Sequence, residues 1–500
     1  MTGRTKNTVR NMVVMFAMQV ITVIFTFVCR TFFVKLLAVE YYGLSGLFSN
    51  IIAVLALSEL GIGNVIIVHL YKPLAENDQE QICQLMNFYR KAYNVVGIFV
   101  FVCGLLLVPF LDKLVKSDSN IPYLEFYFIL FIIQSASSYF FAYKRSLLTA
   151  SQQEYICTAI RQFFIIILNL LQILFLWLTR SYTIYLVLSI ISSLATNITL
   201  SFIADRKFPY LKEGRKYNLA QNQTKEMFKN VSAMMLHRIG NTVINSTDNI
   251  LISSMVGIIY TGLYSNYLLI MNTITQFINI SLSAVSASIG DYNAQKTPKE
   301  RKELFDAMSM ISIWGFGMSS ICFCCLFQPT ITLWLGEAYL LDFSVVVLIS
   351  ANYFINGLLR VPGTFSDLNG VYVKTKFKPI LMATINLLSS VIFIKLWGFI
   401  GVFAGTLVSY LLVGIWVDPI LLCRDVFKIK SLTYFFDIFK QTLIVICVGF
   451  ITFAIVQMIP FYVIKLLASV VISNGLLLLF YRNTKAFSFV FSRIKRMLHR

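Results

Sequence analysis

Residues 14–37 read VMFAMQVITVIFTFVCRTFFVKLL, an apolar run that is long enough to cross a membrane as one helix. Arg30 lies far along this run, and Lys35 follows it after about a turn and a half of helix. A charge near the middle of a membrane helix costs about 2.5–3.5 kcal/mol on insertion scales, and such residues usually face a bundle interior or a water-filled cavity. The run therefore predicts a first spanning helix that carries a functional cation.

The composition of the whole chain excludes a soluble protein. Hydrophobic residues make up 58% of the 500 residues and charged residues only 13%, whereas soluble domains average about 25% charged residues. We identify fourteen apolar segments, near 11–35, 42–70, 92–111, 122–143, 156–179, 183–204, 230–256, 260–289, 306–334, 343–368, 378–396, 399–423, 441–460 and 463–481. The sequence predicts an all-α polytopic membrane protein with about fourteen transmembrane helices.

The basic residues alternate between the two ends of these segments. Of the 42 Lys and Arg, 33 fall in the N-terminus, every second loop and the C-terminal tail, five fall in the intervening loops, and four lie in or near spanning segments. This is the positive-inside pattern, and it predicts a multi-pass protein of the bacterial cytoplasmic membrane with both termini in the cytoplasm. The net charge of +19 therefore reports topology and contact with anionic lipid, and it does not indicate a nucleic-acid partner.

Short sequence matches indicate an internal repeat. Tyr42-Gly43-Leu44 matches Thr261-Gly262-Leu263 at an offset of 219, and Asn169-Leu170-Leu171 matches Asn386-Leu387-Leu388 at an offset of 217. We predict two six-helix lobes related as a parallel pseudo-repeat, followed by two C-terminal helices. The corresponding ranges are 1–205 for the N-terminal lobe, 206–229 for a cytoplasmic linker, 230–424 for the C-terminal lobe, and 425–500 for the last two helices and a basic tail.

Residues that could carry catalysis are scarce. The chain has three histidines without ligand spacing, no nucleotide-binding loop of the G-x-x-x-x-G-K-[ST] kind, and nine cysteines with no His or carboxylate spaced to complete a metal site. We therefore expect no enzyme, no metal and no bound cofactor.

The residues of interest are charged or polar groups at membrane depth. The cations that could line a cavity are Arg30, Lys35, Arg238 and Arg360. The groups that could couple an ion or add polarity are Glu59, Asp248 and Asn249. Val361-Pro362-Gly363 follows Arg360 and is expected to break its helix, which would leave a discontinuous helix beside a charge.

Each candidate also has a structural interpretation. Arg30 could form an ion pair with Asp248 in the bundle core, and Lys35 could extend to the outer interface. Glu59 could take up protons or be a structural carboxylate beside small residues. Asp418 is expected to be solvated at a cytoplasmic helix end, and the many Tyr and Phe are expected to face lipid or the interfacial belts.

Several stretches resemble the oligosaccharide (Wzx-type) branch of the multidrug/oligosaccharidyl-lipid/polysaccharide (MOP) exporter superfamily. They are HRIGNTVINSTDNILISSMVGIIYTGLYSNY (237–267), ELGIGNVIIVHLYKPLAENDQEQICQLMNFYRKAY (59–93), KPILMATINLLSSVIFIKLWGFIGVFAGTLVSY (378–410) and WVDPILLCRDVF (416–427). The resemblance covers nearly the whole chain, and it rests on the order and spacing of these stretches. It implies two six-helix lobes plus two helices.

The resemblance also implies a function. Such proteins flip undecaprenyl-diphosphate-linked oligosaccharides, such as capsule, exopolysaccharide or O-antigen units, from the cytoplasmic to the outer leaflet. They are thought to work by alternating access around a cationic central cavity, to which Arg30, Arg238 and Arg360 could contribute. A proton or sodium gradient or the membrane potential could drive transport, and a polysaccharide polymerase and other assembly proteins could be partners.

Other cargoes and the order of contacts stay open at this stage. The alternatives are a teichoic-acid chain, a peptidoglycan precursor, or a cationic drug carried by an ion-coupled exporter of the same superfamily. The topology places Arg30 in the outer half of its helix, where it would suit late contact with a departing diphosphate. Arg238 and Arg360 lie nearer the cytoplasmic side and would suit first capture.

Overall fold

A computed structural model of the protein describes residues 2–56, 62–116, 121–213, 242–243, 246–287, 297–371 and 374–498. These residues are mainly helical and contain no β-strand. The larger helices are α1 (Thr2–Leu36), α2 (Val39–Leu55), α3 (Ile62–Glu76), α4 (Gln79–Leu107), α5 (Leu124–Ala142), α6 (Glu154–Thr179), α7 (Tyr182–Lys207), α8 (Ile258–Ala287), α9 (Pro298–Trp334), α10 (Phe343–Leu368), α11 (Lys378–Trp397), α12 (Ile400–Phe427), α13 (Ser431–Gln457), α14 (Tyr462–Tyr481) and α15 (Lys485–Leu498).

Eleven of the helices in the described residues are long and apolar enough to cross a membrane, and α2 is a shorter apolar helix. The predicted all-α polytopic membrane fold is therefore confirmed. α8 has 30 residues and carries no charged residue, although Asn, Ser and Thr recur along it. About half of the predicted segment 230–256 lies outside the described residues, so the count of fourteen spanning helices stays a prediction.

The described residues pack as two compact units, Met1–Gly262 and Leu263–Arg500. In the first unit α1 packs along α6, α4 packs on α5, and α7 packs against both α5 and α6. In the second unit α9 packs against α10, α13 and α14, while α11 pairs with α12. The lobe and linker ranges predicted from the sequence stay predictions, because the linker lies mostly outside the described residues.

Polar side chains connect α1 to α6 at three levels. Gln162 Nε2 donates to Gln19 Oε1 at 2.6 Å, and Asn169 Nδ2 donates to Thr26 Oγ1 at 3.2 Å. Nearer the C-terminal ends of the two helices, Cys29 Sγ donates to Gln172 Oε1 at 3.6 Å. The residue numbers rise together along both helices, so α1 and α6 run in the same direction, as the predicted topology requires. Hydrogen bonds of this kind connect helices in a bilayer, where apolar faces have no preference for each other over lipid.

The glycines of the two tripeptides that indicate the repeat, Gly43 and Gly262, lie close to each other in the first unit. A Cβ atom added at Gly262 would lie 2.6 Å from the carbonyl oxygen of Val39 and 3.3 Å from the backbone nitrogen of Gly43. A Cβ atom on Gly43 would in turn overlap the carbonyl oxygen of Ile258. Glycine at both positions therefore allows the beginnings of α2 and α8 to meet backbone against backbone.

Helix α10 is continuous from Phe343 to Leu368 and includes Pro362, so the predicted helix break is wrong. A proline removes only one backbone donor, and helices in a membrane tolerate this where neighbouring groups supply others. The carbonyl oxygen that loses its backbone donor is that of Leu358, and two hydroxyl groups donate to carbonyl oxygens close to it. Ser312 Oγ donates to Gly357 O at 2.9 Å, and Thr364 Oγ1 donates to Arg360 O at 3.0 Å.

The contact between α11 and α12 is as close as the glycine contact of the first unit. A Cβ atom at Gly405 would lie 2.5 Å from the backbone nitrogen and 2.6 Å from the Cα of Ser390. We expect Gly405→Ala to lower the free energy of unfolding by about 1–3 kcal/mol, because backbone atoms must move apart to accept the methyl group. Thermal unfolding of the purified protein in detergent measures this change.

Gly363→Ala in α10 is the matched control, because no atom lies within 4 Å of its added Cβ. Alanine also loses less conformational freedom than glycine on folding. We therefore expect this variant to unfold at the same temperature as the wild type or slightly above it. Equal unfolding temperatures for Gly405→Ala and the wild type would contradict the close contact.

Candidate functional site

Arg30 lies on the buried face of α1. The residues of that face are spaced for one side of a helix and are all less than a tenth exposed: Thr22, Cys29, Arg30, Phe33 and Val34. The Arg30 side chain is in the interior of the first unit, where the residue is only 5% exposed. The sequence prediction that this charge faces the bundle interior and not lipid therefore agrees with its position.

Aromatic rings surround the Arg30 guanidinium. Its Cζ lies over the ring of Tyr42 and 5.6 Å from the ring centre of Phe33. Phe33 in turn packs edge-on against Tyr185 at 4.8 Å and Tyr182 at 6.0 Å between ring centres. The negative faces of aromatic rings attract a cation, and this attraction grows when water is excluded.

A second layer of tyrosines continues outward from Arg30. The ring centres of Tyr41, Tyr127 and Tyr182 lie 4.8–5.9 Å from one another, and Ser45 Oγ is 2.7 Å from the Tyr182 hydroxyl. We define the tyrosine cluster as the six aromatic residues around and beyond Arg30, which come from α1, α2, α5 and α7: Phe33, Tyr41, Tyr42, Tyr127, Tyr182 and Tyr185. Arg30 and the tyrosine cluster together combine one permanent cation with several hydroxyl groups.

This combination suits an anionic group that also carries hydroxyls. A guanidinium remains charged at any working pH and binds phosphate oxygens through two parallel hydrogen bonds. Tyrosine adds an apolar ring and a hydroxyl that both donates and accepts. Because Arg30 is buried under Tyr42, contact with a ligand requires these rings to move away from the guanidinium.

Arg360 forms a separate cluster in the second unit. Its Nη1 donates to Asn279 Oδ1 of α8, and its guanidinium lies 5.2 Å from the ring centre of Phe316. In the same unit Thr275 Oγ1 donates to the hydroxyl of Tyr353 at 3.2 Å. Arg360 is half-buried, and its Nε is a buried atom without a hydrogen-bond partner among the described residues. The second unit therefore also presents a guanidinium beside an aromatic ring.

The other predicted site residues differ in their exposure. Lys35 is exposed in the last turn of α1, and Asp248 is half-buried. Asn249 is only 5% exposed, and its Oδ1 has no hydrogen-bond partner in the part of the chain that the structure describes. Glu59 and Arg238 lie outside the described residues, so their roles stay predictions.

A π-helical turn, Ile252–Val256, follows the helical residues that carry Asp248 and Asn249. Ser253 Oγ donates to Leu114 O at 2.7 Å, and the backbone nitrogen of Lys116 donates to Ser253 O at 3.0 Å. These bonds attach the segment to the end of a neighbouring helix. π-helical turns are frequent at functional sites, because they redirect the side chains around them.

Two features of these sites do not follow from the sequence prediction. The prediction assigns the tyrosines to lipid, although six aromatic residues gather around Arg30 without any regular spacing along the chain. It also omits Asn279, although an asparagine inside an apolar helix is itself a sign of a polar contact.

The expectation for Asp418 is wrong. Asp418 is only 5% exposed and forms an ion pair with Lys378, so it is not a solvated residue. The physical reason is the position of Lys378, the first residue of α11, whose ammonium meets Asp418 of α12. A buried ammonium is costly unless a carboxylate pairs with it.

Comparison with known proteins identifies a family that the chain matches. The sequence profile of the family described as "Polysaccharide biosynthesis protein" matches residues 8–287, which is more than half of the chain. No curated protein sequence matches the chain.

Solved structures show the same fold. The lipid II flippase MurJ in an inward closed conformation has a TM-score of 0.66 and 14% identity, over 94% of this chain and 99% of that chain. An inward-facing multidrug resistance MATE family transporter of the MOP superfamily has a TM-score of 0.61 and 13% identity, over 81% and 96%. The MATE multidrug transporter DinF-BH has a TM-score of 0.60 and 16% identity, over 83% and 96%. At these identities the likeness concerns the fold alone.

Proposed function

The chain belongs to the polysaccharide biosynthesis protein family, and from this premise we propose that it is a flippase for a lipid-linked oligosaccharide. The cargo is an undecaprenyl-diphosphate-linked unit of capsule, exopolysaccharide or O-antigen. The protein moves this unit from the cytoplasmic to the outer leaflet and catalyses no covalent reaction. The structural neighbours, described as a lipid II flippase and multidrug transporters, support transport rather than enzymatic activity.

The observation that carries the proposal is the position of Arg30 within the tyrosine cluster. A diphosphate pays a large desolvation penalty in the hydrocarbon region unless charged and hydrogen-bonding groups replace its water. Arg30 supplies the charge, and the tyrosine hydroxyls supply partners for phosphate and sugar oxygens. At the predicted depth of Arg30 the chain thus holds the kinds of group that such a headgroup needs.

The two arginine clusters act at different stages in this proposal. Arg360, with Asn279 beside it, lies nearer the predicted cytoplasmic end of its helix and makes an early contact with the diphosphate. Arg30 lies nearer the predicted outer end of α1 and makes a late one. Arg238 joins Arg360 in capture, and Lys35 attracts the headgroup at the outer interface.

Transport proceeds by alternating access in this proposal. The arginines bind the diphosphate in one state, the tyrosine rings move away from Arg30 during the change, and water releases the headgroup in the other state. The polyprenyl tail remains in lipid throughout. Asp248, Glu59 and Asn249 are the candidates for coupling this cycle to a proton or sodium gradient, and the membrane potential is the other candidate driving force.

The protein resides in the bacterial cytoplasmic membrane with both termini in the cytoplasm in this proposal. The 33 to 5 distribution of basic loop residues supports this orientation. The shared direction of α1 and α6 supports it as well, because four crossings separate their cytoplasmic ends in the predicted topology. A polysaccharide polymerase and other assembly proteins are the proposed partners at the outer face.

Alternative cargoes differ in the charge that they require. A teichoic-acid chain or a peptidoglycan precursor would carry the same kind of anionic linkage and would use the same arginines. A cationic drug would instead require buried carboxylates at the site. The arginines at the centre of both clusters therefore favour an anionic lipid-linked cargo over a drug.

The test is the leaflet on which lipid-linked glycan accumulates when the gene is deleted. We expect the glycan to accumulate on the cytoplasmic leaflet, inaccessible to a membrane-impermeant lectin applied from outside, and the wild-type gene to restore access. Lipid-linked glycan that still reaches the outer leaflet at the normal rate would contradict a flippase. Loss of resistance to cationic drugs with normal glycan export would instead identify a drug exporter.

A further inference from the structure

A cavity of about 230 Å³ lies in the second unit where the ends of four helices meet. It is lined by the first turns of α9 and α13, the last turn of α14 and the beginning of α15. Its residues lie far along the chain from both Arg30 and Arg360, and the proposed transport cycle does not use them. Both charged side chains and aromatic rings line it. Charged side chains within membrane-spanning segments are rare.

The depth of this cavity follows from the length of α9. At 1.5 Å per residue, its 37 residues extend about 55 Å, whereas the hydrocarbon core of a bilayer is about 30 Å thick. Six of its residues are charged, all of them lie within 298–306, and residues 307–334 carry none. The charged end of α9 must therefore extend into the headgroup region, and the cavity beside Lys302 and Asp306 lies at that level.

The charges around the cavity are balanced. Lys302 Nζ contacts both carboxylate oxygens of Asp306 at 2.5 and 2.7 Å. Asp437 and Lys440 line the cavity from α13, are exposed, and form no ion pair among the described residues. Two carboxylates and two ammonium groups therefore face one space, and neither a purely anionic nor a purely cationic ligand would match them.

A buried hydroxyl also faces this space. Ser309 is only 8% exposed, lines the cavity, and its Oγ has no hydrogen-bond partner in the described part of the chain. Nearly all buried polar groups in proteins are hydrogen-bonded, so this hydroxyl is available to a ligand. On the membrane side the wall is apolar: Ile444 and Phe480 line it, and Phe480 is 52% exposed.

We propose that this cavity binds the headgroup of an aminophospholipid of the phosphatidylethanolamine type. The primary ammonium of the lipid donates to the carboxylates of Asp306 and Asp437, and the phosphate accepts from Lys440 and the hydroxyl of Ser309. The acyl chains lie along the exposed apolar surface beside Phe480. The lipid joins the last two spanning helices to α9 from the headgroup side, and this role is separate from flipping a glycan.

The amphipathic helix α15 places a membrane surface next to the cavity. Ala486, Phe487 and Val490 of α15 pack toward the core of the second unit, and Phe487 stacks on Trp314 with 6.3 Å between ring centres. Basic residues follow on the same helix, as in helices that lie in the interfacial plane of a membrane. The part of the cavity that Thr484 and Ala486 line is therefore at the level where lipid headgroups gather.

The experiment compares lipids on the purified full-length protein. In native mass spectrometry with equal amounts of phosphatidylethanolamine, phosphatidylcholine and phosphatidylglycerol, we expect ethanolamine lipid to remain bound preferentially. Phosphatidylcholine has no ammonium hydrogens to donate, and phosphatidylglycerol brings no cation to the carboxylates. The double variant Asp437→Asn, Lys440→Gln should lower the amount of bound ethanolamine lipid by about tenfold, because two charge-assisted contacts are lost.

The matched control makes the same changes at exposed positions away from the cavity, Asp342→Asn with Lys395→Gln, and should leave binding unchanged. If the double variant unfolds at a lower temperature, Lys440→Gln alone repeats the test at an exposed site. Equal retention of the three lipids, preference for phosphatidylglycerol, or unchanged binding in the variants would overturn the proposal. Displacement of ethanolamine lipid by undecaprenyl diphosphate would also overturn it, because the cavity would then hold the substrate linkage.

Discussion

Arg30→Ala is expected to reduce the rate of glycan flipping by roughly 10- to 150-fold while the protein still reaches the membrane. Hydrogen bonds to a charged group contribute about 1.5–3 kcal/mol, and this loss in the transition state of translocation corresponds to that range of rates. Arg30→Lys retains the charge but loses the two parallel hydrogen bonds, so its rate should lie between those of alanine and wild type. The rate is measured in proteoliposomes as the appearance of a fluorescent undecaprenyl-diphosphate-linked disaccharide in the opposite leaflet.

Arg180→Ala is the matched control, because Arg180 is exposed at the end of α6 and has the same side chain. We expect this variant to flip the disaccharide at the wild-type rate. Arg30 also packs against Tyr42, so its removal affects stability, and the unfolding temperature of each variant must be measured beside the rate. Wild-type flipping by Arg30→Ala would make Arg30 a structural residue, whether it packs in the tyrosine cluster or pairs with Asp248.

Asp418→Ala is expected to lower the free energy of unfolding by about 3–5 kcal/mol. Asp418 and Lys378 form an ion pair in which both side chains are nearly buried, at 7% and 11% exposure. Removing the carboxylate leaves a buried ammonium at the beginning of α11, where the helix dipole also disfavours a positive charge. Unfolding of the purified protein in detergent, followed by heat or denaturant, measures the change.

Two further variants separate the ion pair from general disruption of α12. In the double variant Lys378→Met, Asp418→Leu both charges are gone, so we expect most of the lost stability to return. Asp425 is on α12 like Asp418, but its ion pair with Lys374 is more exposed, so Asp425→Ala should change stability much less. Equal losses for Asp418→Ala and Asp425→Ala would show that burial of the pair has no special role.

Local composition was enough to predict the membrane class and the interior position of Arg30. A bilayer penalises every exposed charge and every unpaired backbone group, so long uncharged runs and the sides of basic loops indicate the spans and their direction. For the same reason a lone arginine inside such a run had to face protein, and it is 5% exposed. The regular contacts between α1 and α6 agree with that direction.

The environment of each charge could not be predicted from its neighbours in the sequence. Asp418 and Lys378 are forty residues apart, and each alone has the sequence context of a solvated helix end. Pro362 has the local signature of a helix break, yet α10 continues through it because helix packing provides enough support. In both cases a contact from another helix changed the outcome that the local sequence predicted.

The tyrosine cluster shows most clearly what depends on tertiary structure. Its residues come from four helices with no common spacing, and each resembles an interfacial or lipid-facing aromatic residue in the sequence. The membrane class and the interior position of Arg30 follow from the sequence because the penalty for charge in lipid acts on each residue locally. Which rings surround Arg30, and which carboxylate meets Lys378, depend on helix packing, since apolar helix faces in lipid are selected by shape and polar contacts and not by hydrophobicity.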